Sequence, residues 1–237
     1  MRTKLPIFIS IVILALVLSA CGSKTVDTIA TRNISVNGTG IVYLAPDIAY
    51  INIGVHTENA DVGKAVEDNN QKSQAVVTAI KALGVDAKDI QTTNFSVYNS
   101  QQYDPSSGVL TGTLYMVDNT VYITMRDLPK LGDMLDAAIQ AGSNNINSVS
   151  FDVADKTKAV QQARLLALDN AHKLANELAE GAGVKLGSVQ NLSYYDYPPS
   201  PYYGKGGESA GSSASVAPIN PGQMQLTVNV NIIYEIK

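Results

Sequence analysis

The longest helical pattern of the chain spans residues 155–181, DKTKAVQQARLLALDNAHKLANELAEG, and it determines the fold because the neighbouring strands have to pack on it. Alanine recurs there at every fourth position, at 159, 163, 167, 171, 175 and 179. Such a ridge of small side chains lets another backbone approach the helix closely. Four residues overshoot one turn by about 40°, so we expect some of these alanines to face a sheet and others a second subunit. The alternative is that all of them face the sheet or solvent, because alanine is a good helix former.

The segments around this helix alternate between strand and helix patterns. Apolar side chains occupy every second position from Leu226 to Ile236, which is the clearest strand pattern in the chain. The order of elements predicts an α/β (α+β) fold, with a mixed, largely antiparallel sheet layered with three helices. The halves 47–125 and 126–236 are predicted to be a diverged internal repeat. Helices are expected at 61–83, 127–142 and 155–181, and strands at 34–36, 41–43, 49–55, 90–99, 113–125, 149–153, 184–194 and 226–236.

The N-terminus has the features of a targeting segment. Arg2 and Lys4 precede an apolar run at 5–19, which is short for a membrane-spanning helix and typical of a signal peptide. The run ends in Leu18-Ser19-Ala20-Cys21, which resembles a bacterial lipobox whose cysteine sulfur accepts the acyl chain. Cys21 is the single cysteine of the chain. A plain signal peptide, or a core segment with an accidental cysteine, is the alternative to lipidation at Cys21.

These features divide the chain into an exported leader and one folded unit. The unit is long enough to form one domain. Residues 101–112 are expected to form a turn or loop between strands. We predict a lipoprotein signal peptide at 1–20, a lipidated tether at 21–32 and a domain at 33–237, with a low-complexity loop at about 196–222.

Composition excludes several classes of protein. Hydrophobic residues make up 45% of the 237, which is enough for a packed core and excludes global disorder. The formal net charge of −4, without a basic run, argues against nucleic-acid binding. An anionic bilayer would repel such a chain slightly, so attachment to a membrane has to be apolar or covalent.

Candidate catalytic and metal-binding residues are few. The sequence contains no nucleophile elbow, HExxH, CxxC or P-loop motif, and Gly38-Thr39-Gly40 lacks the third glycine and following helix of a phosphate loop. We therefore interpret this glycine segment as a turn or bulge between strands. His56 and His172 lie too far apart in sequence for a metal signature, although Asp169 and His172 can pair at i,i+3. No catalytic, cofactor-binding or metal-binding residue and no cofactor is predicted.

Two further groups of side chains stand out. The carboxylate pairs Asp133/Asp136 and Glu177/Glu180 have helical surface spacing, and we expect them to be solvated. Tyrosines cluster near proline and glycine, a composition that suits an adaptable contact surface. The alternative is that the first of them packs in the sheet and the others are mobile. The cluster comprises Tyr194, Tyr195, Tyr197, Tyr202 and Tyr203.

The order of several short motifs resembles the SIMPL-domain family. Val36-Asn37-Gly38-Thr39-Gly40, Pro46-Asp47 and Ile53-Gly54-Val55 are similar to its opening, and 92–98, 159–187 and 228–236 to its later blocks. The resemblance covers roughly residues 33–237. It implies an α/β extracytoplasmic domain that tends to oligomerise, without an established enzyme activity or catalytic residues to carry over. Bacterial members of the family are mostly envelope proteins, some called periplasmic immunogenic or oxidative-stress-defence proteins.

Together these observations predict a lipid-anchored, non-enzymatic envelope protein that acts as a self-associating scaffold or binding module, with a link to envelope or oxidative stress. Its expected partners are the membrane, through lipid on Cys21, and further copies of the chain as a homo-oligomer, but not nucleic acid. We expect it outside the cytoplasm, anchored to the cell membrane or outer membrane. The alternative is a hydrolase or small-ligand enzyme whose site the sequence does not display.

Overall fold

The computed structural model describes residues 32–202 and 219–237, which form two four-stranded sheets with helices packed on one face of each. This arrangement confirms the α/β class, and the described part contains three α-helices. The helices are α1 (Val62–Ala82), α2 (Leu131–Gln140) and α3 (Thr157–Gly181). The strands are β1 (Asn33–Leu44), β2 (Ile48–Asn59), β3 (Ile90–Tyr103), β4 (Leu110–Met125), β5 (Asn145–Asp152), β6 (Leu186–Asp196), β7 (Ser200–Tyr202) and β8 (Gln223–Ile236).

Every strand pairing in the described residues is antiparallel, so the expected mixed sheet is in fact two antiparallel sheets. The first sheet has the order β1-β8-β6, with β7 also on β8, and packs against α3. The second has the order β3-β4-β2-β5 and packs against α1 and α2. The predicted repeat does not coincide with this division, because β5 comes from the second half of the chain but pairs with β2 from the first.

Strand β1 runs without interruption through Gly38-Thr39-Gly40, so the expected turn or bulge at these residues is wrong. A Cβ atom on Gly38 would lie 2.1 Å from the carbonyl oxygen of Ala167, and one on Gly40 would lie 1.9 Å from that of Ala163. These glycines therefore allow the backbone of α3 to approach β1 closely. The period-two pattern of β1 continues through them, with Val36, Gly38 and Gly40 all buried.

All six ridge alanines are buried, and five of them, at 159, 163, 167, 171 and 175, belong to the core that α3 forms with β1 and β8. The expectation that some of the six face a second subunit is therefore wrong. Strands twist along their length, and a twisted sheet surface can follow a ridge that winds slowly around a helix. The core between α3 and the first sheet thus joins alanine to glycine and to the apolar side chains of β8. Those side chains include Leu226, Val228, Val230 and Ile232.

Polar residues in the middle of α1 anchor this helix to the second sheet. Asn69 is fully buried, and its Nδ2 donates to the carbonyl oxygens of Val55 at 2.9 Å and Val117 at 3.0 Å. Ser73 donates to Oδ1 of Asn69. A side-chain amide that satisfies carbonyls on two strands fixes the position of the helix, whereas sequence alone suggests a gap in its apolar stripe.

Several boundaries differ from those expected from sequence, and one further strand is present. Strands β3 and β4 extend into the predicted loop at 101–112 and leave a tight turn, in which Asp104 accepts hydrogen bonds from Ser106 and Ser107. Helix α2 begins at Leu131, after a 3-10 turn at Leu128–Lys130, and the predicted cap Asp127 makes no side-chain capping bond. The low-complexity segment contains β7, because Ser200–Tyr202 pairs with β8.

Candidate functional site

The structure does not bring the candidate residues from the sequence into one site. Cys21 and Tyr203 lie outside the described residues. His56 is on β2 of the second sheet, whereas His172 is on α3 of the first layer. The predicted solvation of two carboxylate pairs is confirmed, since all four side chains are exposed; they are Asp133, Asp136, Glu177 and Glu180.

The pair suggested at Asp169 and His172 does not form. Asp169 instead forms an ion pair with Lys173, the residue after His172 on α3, and the Nζ of Lys173 lies 2.7 Å from the Asp169 carboxylate. This ion pair raises the pKa of Lys173, first through the hydrogen bond to the carboxylate. The Nδ1 of His172 lies 3.5 Å from the hydroxyl of Tyr234. His172 is therefore an exposed histidine beside the first sheet, without a carboxylate partner among the described residues.

His56 belongs to a chain of hydrogen bonds across three strands. Its Nδ1 lies 2.7 Å from Oδ1 of Asp118, and the Tyr98 hydroxyl donates to Oδ2 of the same carboxylate at 2.9 Å. The carboxylate raises the pKa of Tyr98, because its hydrogen bond favours the protonated phenol. Asn144 holds the backbone of His56 through both its N–H and its carbonyl.

This chain of hydrogen bonds orients the ring of His56. The described residues contain no cluster of three or more His, Cys, Asp or Glu side chains placed to hold a metal ion. His56 stands out in the sequence, whereas Asp118 and Tyr98 do not, because their proximity to it arises from strand register. His56 is directly opposite Asp118 in the β2–β4 pairing.

An open surface lies on the first sheet, on the side away from α3. We call it the outer face and define it by thirteen residues in four rows across the strands. Its central residues lie on β8, where they alternate along the strand with the buried side chains that contact α3. Tyr195, Tyr197 and Tyr202 of the predicted tyrosine cluster belong to it. The outer face consists of Asn37, Thr39, Ile41, Tyr43, Ser193, Tyr195, Tyr197, Ser200, Tyr202, Gln225, Thr227, Asn229 and Asn231.

Two aromatic pairs lie on this face. The rings of Tyr195 and Tyr197 are 4.6 Å apart, and those of Tyr43 and Tyr202 are 4.7 Å apart, both in edge-to-face geometry. Desolvation and the neighbouring Tyr202 raise the pKa of Tyr43, with desolvation the larger cause. Beside the first pair lies a cleft of about 340 Å³, lined by Tyr197, Pro198, Ser200, Gln225, Thr227 and Asn229.

Tyr194 has a different environment from its neighbour Tyr195. It lies on the α3 side of β6, where the guanidinium of Arg164 is 5.0 Å from the centre of its ring. Arg164 also forms an ion pair with Asp196, and this contact raises the pKa of the arginine further. The alternative prediction that Tyr194 packs in the sheet is wrong, since its side chain is 58% exposed on β6. That the cluster forms a contact surface stays a prediction.

A third surface is the hairpin of β3 and β4. Strand β2 pairs with β4 only from Tyr115 to Met125, whereas β3 and β4 continue to pair as far as Tyr103 and Leu110. The hairpin therefore projects beyond the rest of the second sheet. Along it, apolar and aromatic side chains are exposed to solvent: Phe95, Val97, Tyr98, Tyr103, Val109 and Leu110. Part of this hairpin lies in the segment 101–112, for which the sequence pattern predicts a turn or loop, so the surface is not apparent from the sequence.

Fold and surfaces together define a class of protein: a two-sheet α/β domain whose prominent features are open faces and edges. Among the described residues, no helix is both long enough and apolar enough to cross a membrane. A family model for SIMPL, described as "Protein of unknown function (DUF541)", matches residues 34–234. The chain belongs to this family, which confirms the resemblance seen in its motifs.

Curated relatives cover most of the chain. It is 28% identical over 227 residues to the "26 kDa periplasmic immunogenic protein" of Brucella melitensis, spanning 93% of this chain and 91% of the relative. It is 34% identical over 171 residues to the "Uncharacterized protein YggE" of Escherichia coli K12, spanning 71% of this chain and 69% of the relative. Neither name denotes an enzyme.

Proposed function

We propose that this protein is a lipid-anchored, non-enzymatic envelope protein that assembles with further copies of itself into a scaffold. The single observation that carries the assembly is strand β3. It lies at the edge of the second sheet, and its 14 residues, IQTTNFSVYNSQQY, include neither a charged residue nor a proline. Monomeric proteins usually protect such an edge with charges, proline or a covering segment, because unpaired N–H and C=O groups recruit another strand.

The exposure of β3 strengthens this argument. Nearly all of its side chains are exposed, including Phe95 and Val97, which would otherwise pack in a sheet. The projecting part of the hairpin has only two strands, and a two-stranded ribbon is at best marginally stable in water. Pairing of β3 with β3 of a second copy would satisfy the edge and cover these side chains. In the simplest case the contact has twofold symmetry.

Charge placed on β3 tests the assembly. The double variant Phe95→Lys/Val97→Lys puts two like charges on each copy at the proposed contact. We expect it to shift the protein from oligomer to monomer in multi-angle light scattering at micromolar concentration. The matched control is Leu165→Lys/Leu166→Lys on α3, which adds the same charge at two exposed leucines and should leave the mass unchanged.

Two results would contradict the assembly at β3. One is a monomeric mass for the unmutated protein in the same measurement. The other is equal dissociation of the β3 variant and the α3 control, because the effect would then come from net charge. Circular dichroism of each variant establishes that a changed mass does not reflect unfolding.

The lipid anchor and the extracytoplasmic location form the second part of the proposal. They are supported by the lipobox at Leu18-Ser19-Ala20-Cys21 and by the word periplasmic in the name of the Brucella relative. A diacylated or triacylated cysteine anchors a protein firmly, whereas one acyl chain binds only marginally. Cys21→Ser should move the protein from the membrane fraction to the soluble fraction after a high-salt wash. Retention of the variant in the membrane would contradict the anchor.

A hydrolase or small-ligand enzyme is the alternative, and the hydrogen-bonded chain of His56, Asp118 and Tyr98 is the observation in its favour. A histidine oriented by a carboxylate is a common general base. Turnover of ester, peptide or glycoside substrates that is lost in His56→Ala would support the enzyme and contradict the proposal. Activity that persists in His56→Ala would point to a contaminant.

A further inference from the structure

We propose that the outer face of the first sheet is a binding site for a neutral oligosaccharide. This inference goes beyond self-association and does not depend on it, since β3 belongs to the other sheet. It rests on three properties of the outer face: the residues there are uncharged, their polar groups are amides and hydroxyls, and tyrosine pairs lie beside them, one of them at a cleft.

The polar groups of the outer face match a neutral sugar in their chemistry. All thirteen residues of the outer face are uncharged, and eight of them carry an amide or an aliphatic hydroxyl: Asn37, Thr39, Ser193, Ser200, Gln225, Thr227, Asn229 and Asn231. Amides donate and accept at once, and hydroxyls do the same, which matches the alternating donors and acceptors of a sugar ring. A charged ligand would find no opposite charge here.

Hydrogen bonds between these polar groups fix their positions on the outer face. Thr39 donates to Oδ1 of Asn229 at 2.9 Å, and Gln225 donates to the Thr227 hydroxyl at 3.1 Å. Nδ2 of Asn231 donates to Oδ1 of Asn37 at 2.9 Å. These contacts hold the side chains in place before a ligand arrives, and preorganised groups lose less entropy on binding. The backbone of β8 supports them from the centre of the sheet.

The tyrosines and the cleft provide an apolar surface and space for a sugar ring. Tyrosine offers a flat apolar ring with a polar tip, so it can stack on the C–H face of a sugar while its hydroxyl remains hydrated. The cleft of about 340 Å³ between Tyr197 and the polar row lies at the small end of the usual range for ligand sites, about 300 to 1,000 Å³. One wall is aromatic and the floor is polar, so a ring lying there contacts both.

Single-stranded nucleic acid is a different ligand that also stacks on aromatic side chains of a sheet. Its binding requires a positively charged groove along the phosphate backbone. The outer face contains no lysine or arginine, and Arg164 lies on the α3 side with Asp196. The charge of the surface therefore favours the neutral oligosaccharide.

The test is isothermal titration calorimetry of the full chain, in a detergent without a sugar headgroup, against chitohexaose, cellohexaose and maltohexaose. We expect saturable binding of at least one of them. Tyr195→Ala removes an exposed ring of the outer face and the edge-to-face contact that supports Tyr197 in the cleft wall. It should weaken that binding roughly threefold to tenfold, the usual effect of one aromatic contact. The matched control is Tyr194→Ala: the two tyrosines are neighbours with 58% and 59% exposure, but they lie on opposite faces of β6.

A second variant tests the hydrogen bonds independently. Asn229→Asp keeps the oxygen that accepts from Thr39 but removes the amide donor and adds a negative charge, and it should weaken binding at least as much. Three results would overturn the site: no binding of any of the three oligosaccharides, equal weakening by Tyr194→Ala and Tyr195→Ala, or unchanged affinity in Asn229→Asp. Binding of oligo(dT) that requires Tyr195 would assign the face to nucleic acid and would overturn it as well.

Discussion

Replacing Gly38 by alanine is expected to force helix α3 away from the first sheet. The added Cβ would lie 2.1 Å from the carbonyl oxygen of Ala167 and 2.6 Å from the backbone nitrogen of Ala171. Real Cβ atoms essentially never approach closer than 3.0 Å, so backbone has to move, by about 1 Å. A gap of that size removes a quarter to a half of the dispersion energy of each contact across it.

The magnitude follows from what α3 buries. Five of its ridge alanines and the apolar side chains of β8 share one core, so the displacement weakens all of their contacts together. Overpacking costs about 1 to 3 kcal/mol in general, and we expect about 3 kcal/mol or more here because a backbone cannot yield as a side chain does. In a domain of this size that corresponds to a fall in Tm of roughly 6 to 12 °C.

Urea unfolding followed by far-UV circular dichroism measures this change. Gly132→Ala in α2 is the control, since no heavy atom lies within 4 Å of its added Cβ, and alanine should stabilise the helix by up to about 1 kcal/mol. The further substitution Ala171→Gly should not rescue Gly38→Ala, because the closest contact is with the Ala167 carbonyl. A free energy of unfolding within about 0.5 kcal/mol of the unmutated protein would refute the reasoning.

Three further predictions concern buried or paired polar groups. Asn69→Leu leaves the carbonyl oxygens of Val55 and Val117 without the amide donor, so we expect a loss of about 2 to 4 kcal/mol in urea unfolding, against a smaller loss for Ser73→Ala. The hydrogen bond from Arg126 holds the pKa of Asp89 below its ordinary value. The pair therefore stabilises the fold above the unfolded pKa of about 4, and this stability is lost as pH falls through the lower folded pKa. Arg126→Gln should accordingly be less stable than the unmutated protein at pH 7, and the difference in the free energy of unfolding should vanish in acid. Asp118→Asn should lower the pKa of Tyr98 toward its ordinary value of about 10, because the carboxylate raises it through a hydrogen bond and its charge, and an unchanged phenol titration by NMR would contradict this.

Local signals in the sequence determined the helices and most of the strands. Asp61 caps α1 by accepting from the backbone N–H of Lys64, and Gly84 and Gly142 follow their helices with positive φ. These features depend on a few neighbouring residues, so they can be recognised from the sequence without knowledge of the fold. The alternation of β8 likewise predicted a strand with one buried face. It also marked the polar positions that later form the centre of the outer face.

Pairing between distant strands was decided only by the tertiary structure. Asn33 of β1 lies opposite Glu235 of β8, and this register brings the two ends of the domain into one sheet. A period of two residues assigns a side chain to a face but does not select the partner strand. For this reason the sequence could not reveal that Gly38 meets Ala167, that all the ridge alanines are buried, or that Asp118 reaches His56. The exposed edge at β3 and the tyrosine-flanked outer face follow from the same choice of partners, because a face or an edge exists only once the strands have paired.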